Sequence, residues 1–298
     1  MSVASSTTAV VTDSTADLPA PIAAASGIRV IPVILVVDGS NYVDDGALSR
    51  AAFYERLPTM RRPATTASPP VEAFSSIYRL ALDAGARRVV SIHVSGRLSG
   101  IVDIARHAAQ AFADRVQVVD SGQVSLGLGF QVAAAARAAT EEKPVTEILA
   151  AAEGVRRRVR TIAMIDDLEY LRRSGRVDWL RSSLSALLRI RLLVELADGV
   201  VRRLAQVRTR ARAIEALAER ARGWGRLERL GVLHSSALED AAALASSLAP
   251  IATDDPLVVD VTTVIGAHVG PRALGLVGVL ADSKSGGDAA PSGRKMRR

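Results

Sequence analysis

Short apolar runs and amphipathic stretches alternate along the first half of the chain. Residues 9–12, 28–37, 89–94 and 116–119 read as strands, while 71–84, with Phe74, Ile77, Tyr78 and Ala81 at helical spacing, and 101–112 read as helices. Strands of about five apolar residues separated by helices of about 10–15 predict a mostly parallel sheet covered on both faces, a three-layer α/β domain. Past a helix-like stretch at 144–159 the rhythm changes. Residues 192–196 and 200–207 flank Asp198-Gly199, a dipeptide that supplies the positive φ of a tight primed hairpin turn. A helix at 210–222, a strand at 230–234, a helix at 237–248 and strands at 257–261 and 273–280 follow. A hairpin ahead of such alternation predicts a smaller C-terminal α+β domain with a largely antiparallel sheet. The expected division is an α/β domain over 1–159, an α+β domain over 160–281 and a disordered basic tail over 282–298, where apolar periodicity gives way to Ser, Gly, Lys and Arg.

Composition narrows the chemistry. The 298 residues, 49% of them hydrophobic, can fill two cores. There is no cysteine, which removes disulfides, thiolate metal sites, iron–sulfur clusters and a cysteine nucleophile. The formal charge of +7 includes a net +3 from 282–298, so the body carries an ordinary about +4. All but Lys143, Lys284 and Lys295 of the 38 basic residues are arginine, which beside Ala-rich helices reads as genomic composition. At 3% aromatic residues the chain offers few platforms for stacking bases. The four histidines, His93, His107, His234 and His268, include no i, i+4 pair, and no zinc site is expected. No apolar run nears the roughly 20 residues of a membrane span, and the polar start from Ser2 to Thr8 is unlike a signal peptide, so a cytoplasmic location is expected.

Six segments hold the candidate chemistry. Asp13-Ser14-Thr15-Ala16-Asp17-Leu18-Pro19 follows the first strand, where ligands sit in parallel sheets, and it also reads as a helix start capped by Ser14 or Asp17. Thr65-Thr66-Ala67-Ser68-Pro69-Pro70 reads as a turn and cap. Ser95-Gly96-Arg97-Leu98-Ser99-Gly100 joins a strand to a helix in the manner of an anion cradle and matches neither a serine-hydrolase elbow nor a Walker loop. Asp120-Ser121 opens a glycine-bearing segment at another strand end; Gly127 and Gly129 in it fit close helix–sheet packing as well as they fit a dinucleotide loop. Leu168-Glu169-Tyr170-Leu171 runs on to Gly175-Arg176, a short helix with a glycine cap. Gly266-Ala267-His268-Val269-Gly270-Pro271 reads as a tight loop between two strands that presents His268.

In this order, and across residues 9–280, these motifs resemble the DegV family of bacterial fatty-acid-binding proteins. The resemblance implies a long-chain fatty acid held as ligand, with no other cofactor and no metal, in a buried apolar tunnel between the two domains. It places the carboxyl on Thr66, Ser99 and His268, with Gly100 at the same loop and Asp13, Ser14, Ser121 and Gly270 as further ligand or loop-supporting positions. It further implies a non-catalytic subunit that presents the acid to a separate fatty-acid kinase for acyl-phosphate formation, with Arg176 facing that partner. The sequence departs from the family pattern at Ile101 to Ile104 after Leu-Ser-Gly, at Ala67-Ser68-Pro69, and at Arg272, where a glycine is usual. Arg272 is close enough to the expected site to pair with the carboxylate.

Two alternatives stand beside this reading. Ser99, His268 and Asp13 could form the triad of a lipid or ester hydrolase. Arg156, Arg157, Arg158, Arg160, Arg172 and Arg173 could bind nucleic acid or an acidic partner.

Overall fold

The computed structural model describes residues 7–46, 48–177, 179 and 190–282. Apart from Asp282, the tail expected to be disordered lies outside the described residues. The strands are β1 (Thr8–Asp13), β2 (Arg29–Ile31), β3 (Ile34–Val37), β4 (Ser40–Val43), β5 (Thr65–Ala67), β6 (Arg88–His93), β7 (Val116–Asp120), β8 (Val159–Ile165), β9 (Arg191–Ala197), β10 (Val200–Val207), β11 (Leu227–His234), β12 (Leu257–Asp260) and β13 (Leu274–Leu280). The helices are α1 (Ala20–Ala25), α2 (Arg50–Arg56), α3 (Val71–Asp83), α4 (Ile101–Ala109), α5 (Leu126–Thr140), α6 (Val145–Arg158), α7 (Leu168–Ser174), α8 (Arg210–Arg222), α9 (Leu238–Leu248) and α10 (Thr263–Val269).

The first sheet, in the order β2-β1-β6-β7, is parallel throughout. Residues 89–93 of β6 are completely buried, as a strand covered on both faces must be. Ser91 and His93 share one face and meet Tyr78 and Phe74 of α3, so Val90 and Ile92 point the opposite way. The second sheet runs β10-β9-β8-β13-β11-β12 and is antiparallel except for β11–β12. Its β9–β10 hairpin turns at Asp198 and Gly199 with φ of 52° and 78°, the geometry expected of Asp-Gly. Helices α8 and α9 pack on this sheet through Ala213, Leu217, Ala241 and Leu244.

A third sheet, β4-β3-β5, departs from the sequence expectation. The run at 28–37 is two strands, because Pro32, which has no N–H to give a ladder, falls between β2 in the parallel sheet and β3 in this one. The threonine segment before α3 is the edge strand β5, where a turn was expected. Helix α5 packs on α6 and reaches β1 and β6 of the first sheet and β8 and β13 of the second. No described helix is long and apolar enough to cross a membrane.

Candidate functional site

Directly opposed residues of an antiparallel pair share a face. Thr66 of β5 lies opposite the fully buried Leu35 of β3 and therefore turns inward, whereas Thr65 and Ala67 on either side are exposed. There it borders a cavity of about 330 Å³, walled by Leu57, Pro58, Met60, Pro63, Ala64, Tyr170 and Ala267 and made polar by Thr65, Thr66, Arg173, Ser174, Arg176 and His268. That volume is at the lower end of the roughly 300–1,000 Å³ of small-molecule pockets.

His268 does not sit in a tight loop between strands. It occupies the last turn of α10, and its Nε2 lies 3.0 Å from Thr66 Oγ1. Burial, reinforced by the charge of Arg176, pushes the imidazole down to about 4, so the ring is neutral at neutral pH. A neutral ring that gives its Nε2–H to Thr66 leaves the threonine O–H free to donate to an anionic oxygen in the cavity. Chain direction beyond the histidine is fixed by Gly270, at φ 75° and ψ 177°, a region open in practice to glycine alone. A side chain there would also overlap the Tyr170 ring. The Ser235 hydroxyl donates to the Gly270 carbonyl at 2.7 Å.

Arg176 follows Gly175, the left-handed cap of α7. Its Nη1 donates to the Ser174 carbonyl at 2.7 Å and its Nε to the Leu98 carbonyl at 3.2 Å. The guanidinium thus fastens the Leu98-Ser99-Gly100 loop to the cavity edge. Ser99 itself is not among the side chains lining this cavity; its Oγ accepts the Ile101 N–H at 3.4 Å, and Gly100 opens α4 without a side-chain cap.

The remaining expected residues brace loops. The Asp13 carboxylate caps the short 3-10 turn Ser14–Ala16, accepting from Thr15 N and Oγ1 through one oxygen. Its other oxygen accepts from Val94 N at 3.1 Å and faces His93 Nδ1 at 3.0 Å. His93 continues to Ser91 and Ser91 to Tyr78, all buried. Ser14 accepts the Val33 N–H, and the Ser121 hydroxyl is engaged by the backbone of Gln123 two residues on. Neither Ser14 nor Asp17 caps α1; Pro19 holds that position. The triad of the hydrolase alternative is not assembled, since Asp13 orients His93 and His268 is engaged with Thr66.

Arg272, 59% exposed along its side chain, reaches Asp166 at 3.7 Å, a carboxylate it shares with Arg191 and Arg210. It does not line the cavity. Five of the six arginines of the nucleic-acid alternative are drawn to carboxylates too: Arg156 and Arg157 to Glu153, Arg158 to Glu228, and Arg172 and Arg173 to Glu169, while Arg160 donates to the Arg157 and Val159 carbonyls. Among the described residues no group of three or more His, Asp or Glu side chains is arranged to hold a metal ion. Sequence reading missed the cavity wall. Tyr170 lay inside a recognised motif, but Leu57, Met60 and Ala64 come from a stretch without any local signal.

A family model described as uncharacterised proteins of the DegV family matches residues 7–280. A DegV domain-containing protein of Streptomyces coelicolor is 37% identical, over 90% of this chain and 97% of its own length. One from Deinococcus radiodurans is 34% identical, over 90% and 96%. Among solved structures, a DegV family protein from Thermus thermophilus described for fatty acid binding superposes with a TM-score of 0.85 at 31% identity, covering 92% of this chain and 99% of that one. DegV of Bacillus subtilis, described as a fatty acid binding protein, gives 0.81 at 29% identity with the same coverage.

Proposed function

The chain belongs to the DegV family, and on that premise we propose that it binds a long-chain fatty acid whose carboxyl is held in the Thr66–His268 cavity. The observation that carries the reading is the 3.0 Å pair of a threonine hydroxyl and a neutral, part-buried imidazole beside an apolar wall. A carboxylate there can accept from Thr66 and lies within the field of Arg176 and Arg173. Ser99, on the loop that Arg176 fastens to the cavity edge, is the further head-group position of this reading. The acyl chain extends from Leu57, Ala64 and Ala267 into the apolar layer that those residues share with Leu35, Phe53 and Phe130. A chain of about fourteen methylenes gains on the order of 11 kcal/mol gross, before association costs, so the head group need supply orientation more than affinity.

The reading extends to a tunnel running between an N-terminal domain of residues 1–159 and a C-terminal domain of residues 160–281, and to a protein that carries its acid without transforming it. A separate fatty-acid kinase would take up the carboxyl where Arg176 stands at the cavity edge. Native mass spectrometry of the purified protein, then organic extraction, tests the core of this. One fatty acid per chain, lost from Thr66→Val and His268→Asn, is the expected result; a protein that stays empty when offered fatty acids overturns it.

A further inference from the structure

The Asp13-to-Pro19 segment reaches the cavity at a distance, through α10. Asp17 is 2% exposed, and its two oxygens are both engaged: Oδ1 accepts the Thr262 N–H at 2.8 Å and Oδ2 accepts the Ser125 hydroxyl at 2.5 Å. Thr262 is the N-cap of α10, and His268 stands in the helix's last turn, about 9 Å further along the axis. Two more contacts grip the same short rod. The Thr263 hydroxyl donates to Asp44 at 3.3 Å, and Gly266 is packed so tightly on Tyr54 that a side chain would overlap the phenol, whose hydroxyl donates to the Val261 carbonyl at 3.2 Å. With the far end stopped by Gly270 against Tyr170, a displacement at Thr262 has nowhere to go except along the helix to the imidazole.

We propose that Asp17, locked by Ser125, is a positioning residue for His268: by holding the N-cap backbone N–H of α10 it sets the height at which the imidazole meets Thr66. The role rests on the reading of His268 as a carboxyl-binding group, and it gives the end of the Asp-Ser-Thr-Ala-Asp loop a function without any contact to ligand. Ser125 is itself held in an unfavourable backbone conformation, φ 55° and ψ −145°, with its N–H on the Thr15 carbonyl at 2.8 Å, so the partner that locks Asp17 is fixed to the loop that carries it.

The test separates position from mere stability. Asp17 has φ 50°, so glycine removes the carboxylate without adding strain, and asparagine keeps one acceptor for Thr262. In D17G the His268 ring, followed by its imidazole NMR signals in the lipid-free protein and assigned by their loss in H268N, should titrate well above the wild-type value of about 4 as the ring becomes solvated. Affinity for a fluorescent palmitate analogue should fall roughly tenfold, and D17N should restore both readouts to within about twofold. S125A, which frees one carboxylate oxygen, should shift both in the same direction by less, and it replaces D17G if that variant does not fold. A His268 titration unchanged in these variants overturns the proposal. If the titration moves while H268N binds the analogue as tightly as wild type, the carboxyl-binding reading falls and the positioning of the ring stands.

Discussion

Two ionisable residues, the buried Asp17 and the part-buried His268, give the molecule opposite responses to acid. His268 is held near 4, below its ordinary 6.5, so between those values the unfolded chain takes up a proton that the folded one refuses. Its contribution is intact above about 6.5 and is lost as pH falls toward 4. Asp17 is pushed up from 3.8 to about 7, chiefly by burial, so the folded chain keeps a proton that the unfolded one releases, and stability is lost as pH rises through that window. Each amounts to at most about 1.4 kcal/mol per pH unit where the two states differ by a full proton, and between about pH 6.5 and 4 the slopes oppose. Removing one exposes the other. His268→Asn should gain stability on going from pH 7 to pH 5 relative to wild type, and Asp17→Asn should lose it, read as urea midpoints at the two values. Parallel pH dependence in all three proteins would contradict the assigned ionisation states.

Helix α5 shows why some elements escape a reading by pattern. It has no polar stripe: eleven of its fifteen residues, glycines and alanines included, are buried because both sheets and α6 close around it, so the 3.6-residue alternation that betrays a surface helix is missing. Leu128, fully buried in it, should cost about 2–5 kcal/mol when cut to alanine, measured by urea unfolding at neutral pH; a loss below about 1 kcal/mol would mean that α5 packs more loosely than its burial implies. Strands β6, β7 and β13 and helices α3, α8 and α9 could be read because each spends its apolar residues on a regular period or an unbroken run. Residues 28–37 kept the apolar content of one strand, yet Pro32 sent its halves to different sheets. Thr66 and His268 were found through the motifs of a family resemblance, but their pairing was not visible. β5 and α10 are too short to show a period, and Thr66 looked like part of a turn until β3 came to lie beside it. Asp17 could be seen as a polar loop residue; that it holds Thr262, 245 positions later, belongs to the folded chain alone.

At the scale of the whole molecule, the cavity draws on elements far apart in sequence. Leu57 to Thr66 come from the stretch between α2 and β5, Tyr170 to Arg176 from α7 and its cap, and His268 from α10, while Arg176 ties in the loop before α4. A ligand bridging them stabilises the folded state alone, because the unfolded chain has no such juxtaposition, and the gain is set by mass action: about 2.7 kcal/mol at a free concentration one hundred times Kd. At roughly 2–4 °C per kcal/mol, fatty acid added to stripped protein should raise the melting temperature by on the order of 5–10 °C at that excess. The rise should shrink in Thr66→Val and His268→Asn. It should persist in Arg272→Ala, whose guanidinium is committed to Asp166 at 3.7 Å, outside the cavity. Equal rises in all four proteins would move the head group away from the Thr66–His268 pair, and a rise lost only in Arg272→Ala would put the carboxylate on that arginine, drawing it off Asp166.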